Sequence, residues 1–375
     1  MQKVSITRCK EYKKDLIKSK IDAIFSTHNF YPKLDKIDSV LLKPNLLGSY
    51  KPEKAVTSHP VFIAALAEIL TDHNIDITLF DNPGGSTKFK SVIVGSGIKK
   101  MAADYNIKIL NPSNMGIYKF DTEPEIIISK AFIEAEAIIN LSKMKTHSYT
   151  LFTGAIKNMY GIVPGVAKAN YHKLYPHPTK FAKVVTKIYE KVHKKIVFNF
   201  MDGILGMDGD GPSNGKPQNF GIILASENAV ILDYIATKVM GYKPDKIPIT
   251  TIAANRLHIN LADINIISDF EKDYVLKDVN LKTSKKFNLL LKILSAPFKD
   301  IIKHLFWTKP VFDQNKCVRC GKCVKFCPVS AMSLASDSKT PVVDTEKCIR
   351  CLCCVETCEY NAVEMQKSIL AKFLM

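Results

Sequence analysis

Ten cysteines are spread so unevenly over the 375 residues that they constrain the whole chain. Cys9 stands alone before position 317, and the rest crowd between Cys317 and Cys358. Disulfides at that density would imply a secreted knot. The stretch from Met1 to Lys14, however, is polar and strand-like with no apolar export segment, and the bulk of the chain is lysine-rich and globular in composition. Reduced, clustered thiols of this kind point to metal ligation. The expected compartment is the cytoplasm.

The spacing narrows the metal. The first run is Cys317-x2-Cys320-x2-Cys323-x3-Cys327-Pro328 and the second is Cys348-x2-Cys351-x2-Cys354-x3-Cys358. Three thiolates on one tight loop reach three corners of an Fe4S4 cube, and the fourth ligand has to come from elsewhere. The pattern resembles that of bacterial two-cluster ferredoxins, and the resemblance implies that each run's last cysteine crosses to the other cube. Cys317, Cys320, Cys323 and Cys358 are then expected to hold one [4Fe-4S] cluster, and Cys348, Cys351, Cys354 and Cys327 the second. Zinc ribbons match two such runs poorly. Two departures stand out: Glu359 follows Cys358 where the pattern has proline, and Cys353 is an extra thiol beside Cys354. Taking Cys353 as a ligand would break the two-residue spacing, so it reads as a bystander. Val329 to Met332 and Tyr360 to Val363 fit the short helix and strand that close each half of such a module.

Composition bounds the remainder. With 46% hydrophobic and 24% charged residues the chain is globular, and no apolar run reaches the ~18 residues of a membrane span. The formal charge of +17 raises nucleic acid as a partner, but only Arg8, Arg256, Arg319 and Arg350 among the 53 basic residues are arginine. Scattered lysines lack the forked guanidinium that reads bases and phosphates, so nucleic-acid binding is not expected. Lys285 to Trp307 is basic and amphipathic, broken at Pro297. It reads as packing between domains, with peripheral membrane contact the less favoured alternative.

Before the cysteines, strand-like runs alternate with helical periods. Ser39 to Lys43 precedes a helical His59 to His73, and Ile75 to Asp81 precedes a helical Phe89 to Tyr105. Strands follow at Ile107 to Leu110, Ala137 to Leu141, Lys195 to Met201 and Phe220 to Ala225. Helical patterns cover Tyr149 to Ile162, Pro178 to Val192 and Asn228 to Met240. This alternation predicts an α/β domain with a mainly parallel sheet and helices on both faces, followed by a small α+β ferredoxin-like domain with two clusters. The expected boundaries are 1–270 for the α/β domain, 271–312 for a basic amphipathic linker and 313–366 for the cluster domain.

Ligands of such sheets gather beyond the carboxyl ends of the strands. There the sequence places Lys43-Pro44-Asn45, Asp81-Asn82-Pro83-Gly84-Gly85-Ser86, Lys143-Met144-Lys145-Thr146-His147 and Met201-Asp202-Gly203. Gly84 and Gly85 form no dinucleotide fingerprint, and Asp208-Gly-Asp210-Gly lacks the distal glutamate of a calcium loop and reads as a turn. Lys43, Lys145, Lys157 and His147 on one rim would attract a carboxylate or phosphate. Asp202, Asp208 and Asp233 would hold lysines or a metal. Asn45, Asn158, Gly84 and Gly85 are the candidate cofactor contacts.

The ordered motifs Lys43-Pro-Asn45-Leu-Leu, Ser58-His59-Pro60, Asn140-Leu-Ser-Lys143-Met-Lys145-Thr146-His147, Gly154-Ala-Ile-Lys157-Asn158-Met-Tyr-Gly161, Asp202-Gly203 and Gly209-Asp-Gly211-Pro212 resemble the uncharacterised iron-sulfur-centre proteins of the domain of unknown function 362 family. The resemblance covers roughly residues 1 to 260. It implies a domain of unassigned activity, often joined to [4Fe-4S] modules, with the Lys-Thr-His and Lys-Asn motifs as functional elements.

The expected function is electron transfer through two [4Fe-4S] clusters into a redox reaction on an anionic substrate or cofactor in the α/β domain. Lys43, Lys145 and Lys157 would neutralise the anion, His147 would donate a proton and Asp202 would orient a lysine or bind a metal. A soluble ferredoxin or flavodoxin would supply electrons. The alternative is a non-enzymatic relay, redox sensor or reductive maturation factor for a partner protein.

Overall fold

A computed structural model describes residues 2–84, 88–270, 274–281 and 308–368. Edge to edge, the main sheet runs β12 (Ile264–Ser268), β1 (Gln2–Arg8), β11 (Ile222–Ser226), β9 (Ile196–Asp208), β7 (Ala137–His147), β2 (Ser39–Lys43), β3 (Asp76–Leu79) and β4 (Lys108–Ile109). Two short strands extend it, β8 (Leu151–Thr153) on β7 and β10 (Lys216–Gln218) on β9. From β9 to β4 all neighbours are parallel, and β11 alone opposes both its neighbours in that path. The sheet is the mainly parallel one expected.

Its strands are apolar on both faces, as a sheet covered on both sides requires. In β2, Val40 and Leu42 join one core and Leu41 the other, while in β11 Ile223 and Ala225 oppose Ile222 and Leu224. The first core takes Ile17, Ile21 and Phe25 of the helix Lys14–Thr27, with Phe62 and Leu66 of Pro60–Asp72. The second takes the helices Pro178–Val192 and Ala229–Val239. Pro178–Val192 shows why: Phe181, Val185, Ile188 and Val192 recur at helical spacing, proline opens the helix, and His177 caps it by accepting the Thr179 N–H at 3.3 Å. A separate hairpin, β5 (Ile117–Phe120) with β6 (Ile126–Ser129), packs beside this core.

Three expectations change. β7 does not stop at Leu141 nor β9 at Met201; both run on, to His147 and Asp208, and are folded back by β8 and β10. The stretch Tyr149 to Ile162 is not one helix but β8, a short helix Ala155–Asn158 and a 3-10 turn Met159–Ile162. The turn into β8 passes through Leu151 at φ 69°, which no helix accommodates. Phe89 to Tyr105 is two helices, Phe89–Gly95 and Ile98–Asp104, parted at Gly97 with φ 76°.

In the cysteine module β13 (Thr308–Phe312) pairs antiparallel with β16 (Val363–Lys367), and β14 (Met332–Ser333) with β15 (Val342–Val343). The two halves repeat their backbone: Arg319 and Arg350, Gly321 and Leu352, and Ser330 and Asn361 all take left-handed φ values. The short helices fall within the cysteine runs, at Lys322–Lys325 and Cys353–Glu356, rather than after them. β13 begins inside the segment read as a linker, and at that segment's other end Leu276 and Asn280 are already bonded to Val239 and Asp208. The amphipathic Lys285 to Trp307 lies outside the described residues. The module sits on the rim of the large domain, where Asn214 Nδ2 donates to the Val363 carbonyl at 3.0 Å and Tyr50 Oη to that of Cys358 at 3.4 Å. Among the described residues no helix is long and apolar enough to cross a membrane.

Candidate functional site

The module's cysteines surround two cavities of nearly equal size. One is walled by Cys327, Cys348, Cys351, Cys353 and Cys354, the other by Cys317, Cys320, Cys323 and Cys358. The last cysteine of each run thus faces the cavity of the other run. Cys353 aside, four thiols wall each cavity, the number of ligands a cubane takes. That geometry fits a cubane cluster in each cavity. Backbone N–H groups of Ala331 and Ala362 donate to the sulfurs of Cys327 and Cys358 at 3.1 and 3.3 Å, a contact that tunes cluster potentials.

On the large domain the extended ends of β7 and β9 bring the rim residues together, in two different states. Lys43 is fully buried and pairs with Asp81 at 2.9 Å, also donating to the Pro44 carbonyl at 2.7 Å. Lys143, on the opposite face, pairs with Asp202 at 2.7 Å and donates to Tyr12 Oη, which donates in turn to Asp202 at 2.8 Å. Tyr12 stacks on His59 with ring centroids 3.5 Å apart. Lys43 and Asp202 therefore do not reach the cavity described below; each is consumed by an ion pair. Gly161 makes room for the first pair, since a Cβ there would stand 2.3 Å from Asp81 Oδ1 and 2.7 Å from Lys43 Nζ.

Asp233 and Asp208 are also occupied. Asp233 accepts the N–H groups of Ala155 at 2.6 Å and Ile156 at 3.0 Å, opening the helix that carries Lys157 and Asn158. Asp208 accepts the Asn280 N–H at 3.0 Å. Beneath the rim a chain of buried amides runs from Asn45 to Asn158, Asn140 and Asn199, each donating to the next at 3.1, 2.8 and 2.9 Å.

Above that chain lies a cavity walled by both domains. From the large domain come Asn45, Gly84, Lys145, His147, Lys157 and Asn158, all expected from the sequence, while Gly85 lies outside the described residues. Lys168 and His172 were missed; they lie one helical turn apart on Gly165–Leu174, a spacing that signals a shared face. From the module come Phe326, Cys353, Glu356 and Thr357. Cys353 is common to this cavity and to the one lined by Cys348, Cys351 and Cys354.

The walls carry unspent polar groups. His147 Nδ1 accepts the N–H groups of Tyr149 and Thr150 at 3.0 and 3.3 Å, which leaves the neutral ring's proton on Nε2. Nε2 faces Glu356 Oε1 at 3.4 Å, and neither atom has a hydrogen bond among the described residues. Thr153 Oγ1, Thr357 Oγ1 and His172 Nδ1 are likewise buried without partners among the described residues. Burial, helped by the cations of Lys143 and Lys157, pulls the Lys145 ammonium down to about 7, and burial brings Lys168 to about 7 as well. Burial holds His147 well below its usual range and lifts Glu356, against the lysines around it. With three lysines and spare donors against Glu356, and the Asp81 carboxylate on the same wall already paired to Lys43, the site favours an anion.

The family described as domain of unknown function (DUF362) matches residues 40–238, and the 4Fe-4S dicluster domain matches residues 309–359. A thylakoid-associated protein of Synechocystis sp. is 30% identical over 227 residues, which cover 60% of this chain and 69% of that protein. Among solved structures, a Thermotoga maritima protein aligns with a TM-score of 0.36 at 14% identity, covering 55% of this chain and 53% of its own. The lactate racemase apoprotein of Thermoanaerobacterium thermosaccharolyticum aligns with a TM-score of 0.37 at 12% identity, covering 60% and 54%. The chain spans about half the length of each of these two.

Proposed function

We propose that this chain, which belongs to the domain of unknown function DUF362 family and carries a 4Fe-4S dicluster domain behind it, delivers electrons to a small anion held where the two domains meet. An iron-sulfur, electron-transfer role follows from the dicluster domain itself. The finer reading rests on one observation: Lys145, Lys157 and Lys168 share a cavity wall with Cys353 and Glu356 of the short helix Cys353–Glu356 and with Thr357 at its end. Cys317, Cys320, Cys323 and Cys358 would hold one [4Fe-4S] cluster, and Cys348, Cys351, Cys354 and Cys327 the other. Such clusters supply single electrons, so bond-making falls to the residues around the anion.

In this reading Lys145 and Lys168 neutralise the anion, a role expected from sequence of Lys43, Lys145 and Lys157. Asn45 and Asn158 orient it from the amide chain below, and Gly84 lets it approach the backbone. His147 donates the proton on Nε2, and Glu356 is placed to restore it. Asp202 keeps Lys143 paired rather than binding a metal. A soluble carrier such as ferredoxin or flavodoxin in the cytoplasm would supply the electrons, with the +17 charge attracting an acidic partner.

Oxalate and inorganic phosphate serve as probes. Added to the anaerobically reduced protein, either is expected to alter the electron paramagnetic resonance of one cluster and leave the other unchanged. Because the protonated Lys145 binds the anion, the response weakens as pH rises past about 7. Lys145→Ala should lack it. No change from either probe below that pH contradicts the proposal.

A further inference from the structure

The cavity's three lysines differ in what their amines touch. Lys145 Nζ donates to Asn45 Oδ1 at 2.7 Å and to the Val56 carbonyl at 2.8 Å, and Lys168 Nζ donates to the carbonyls of Asn82 and Pro83. Lys157 has no hydrogen-bond acceptor among the described residues. Its Nζ lies over the faces of Tyr160 and Phe181, 5.2 and 5.9 Å from their centroids, and His172 stacks on Phe181 at 4.2 Å to complete an aromatic wall behind it. Tyr160 and His172 line the same cavity as Lys157, so the amine stands at its aromatic wall.

An ammonium held only by ring faces lacks the hydrogen bonds that normally offset its desolvation. Burial accordingly lowers the basicity of Lys157, opposed by Glu356 and Cys353. A lysine amine in apolar surroundings beside other cations is the setting in which lysine acts as a nucleophile toward carbonyls.

We propose that Lys157 forms an imine with an anionic carbonyl compound of the 2-oxo acid class, an inference that rests on the reading of this cavity as an anion site. Lys145 and Lys168 take the carboxylate. The neutral amine attacks the carbonyl carbon and a carbinolamine forms. The C–O bond then breaks as the oxygen takes the proton from His147 Nε2, and the two protons lost by the amine leave overall with that oxygen as water. The second proton lost by nitrogen returns to His147, which leaves the histidine as it began. No oxidant or reductant enters this step.

Glyoxylate and pyruvate, each with sodium cyanoborohydride, test it on the anaerobically purified full chain. Peptide mass spectrometry should find one reduced adduct per chain, on Lys157. Lys157→Arg, which keeps the charge, should abolish that adduct while retaining both clusters by absorbance. Labelling spread evenly over surface lysines, or none at Lys157, overturns the imine. If oxalate still perturbs the cluster signal of that same protein, the anion site stands without the imine; if it does not, both readings fall.

Discussion

Replacing Cys327 with alanine is expected to cost the cluster beside Cys348, Cys351 and Cys354, not the one beside its own run. Cys327 lines the cavity of the second run, and Cys358 that of the first. Iron should fall from about eight to about four atoms per chain. Iodoacetamide should then label Cys348, Cys351 and Cys354 while Cys317, Cys320 and Cys323 stay protected. Cys358→Ala should invert the pattern. Cys353→Ser should keep about eight irons, since that side chain is a fifth thiol on a wall already holding four. Labelling of the first run in Cys327→Ala would contradict the crossed assignment.

The second large effect concerns the buried rim. Asp81→Ala leaves Lys43, wholly buried, without its carboxylate, and takes from the Leu46 N–H the acceptor it holds at 2.7 Å. Removing one partner of a buried pair costs about 3–5 kcal/mol because the other charge remains desolvated. The double variant Lys43→Met with Asp81→Ala should recover most of that loss, since it removes the stranded charge as well. Urea unfolding followed by circular dichroism measures both. A single variant as stable as the parent would mean that the pair holds nothing in place.

These two regions also mark what a sequence can and cannot reveal. The cysteine runs were legible because cluster geometry fixes the spacing of the ligands. The strands were legible where, as in β2 and β11, they are short apolar runs bounded by turns, and Pro178–Val192 because its apolar residues recur at helical spacing with proline at the start. The extension of β7 was not. Lys143, Lys145 and His147 look like an exposed loop, and only their distant partners Asp202, Asn45 and Glu356 make them burial sites. For the same reason Lys43 and Lys145 looked alike, though one faces Asp81 and the other an open cavity. Lys168 and His172 lie between the two stretches read as helical, Tyr149 to Ile162 and Pro178 to Val192, where no element was expected. Glu356 and Thr357 could not be assigned to the cavity at all, because it forms only when the module rests on the rim.

Native mass spectrometry of the anaerobically purified chain, with iron and sulfide assayed on the same sample, bears most directly on the proposal that clusters feed an anion in this cavity. The mass should equal the chain with two [4Fe-4S] clusters plus one small anionic molecule, and Lys145→Ala should keep the clusters and lose that molecule. Two clusters with no retained molecule would contradict the anion site, and iron below about four atoms per chain would contradict the two-cluster assignment beneath it.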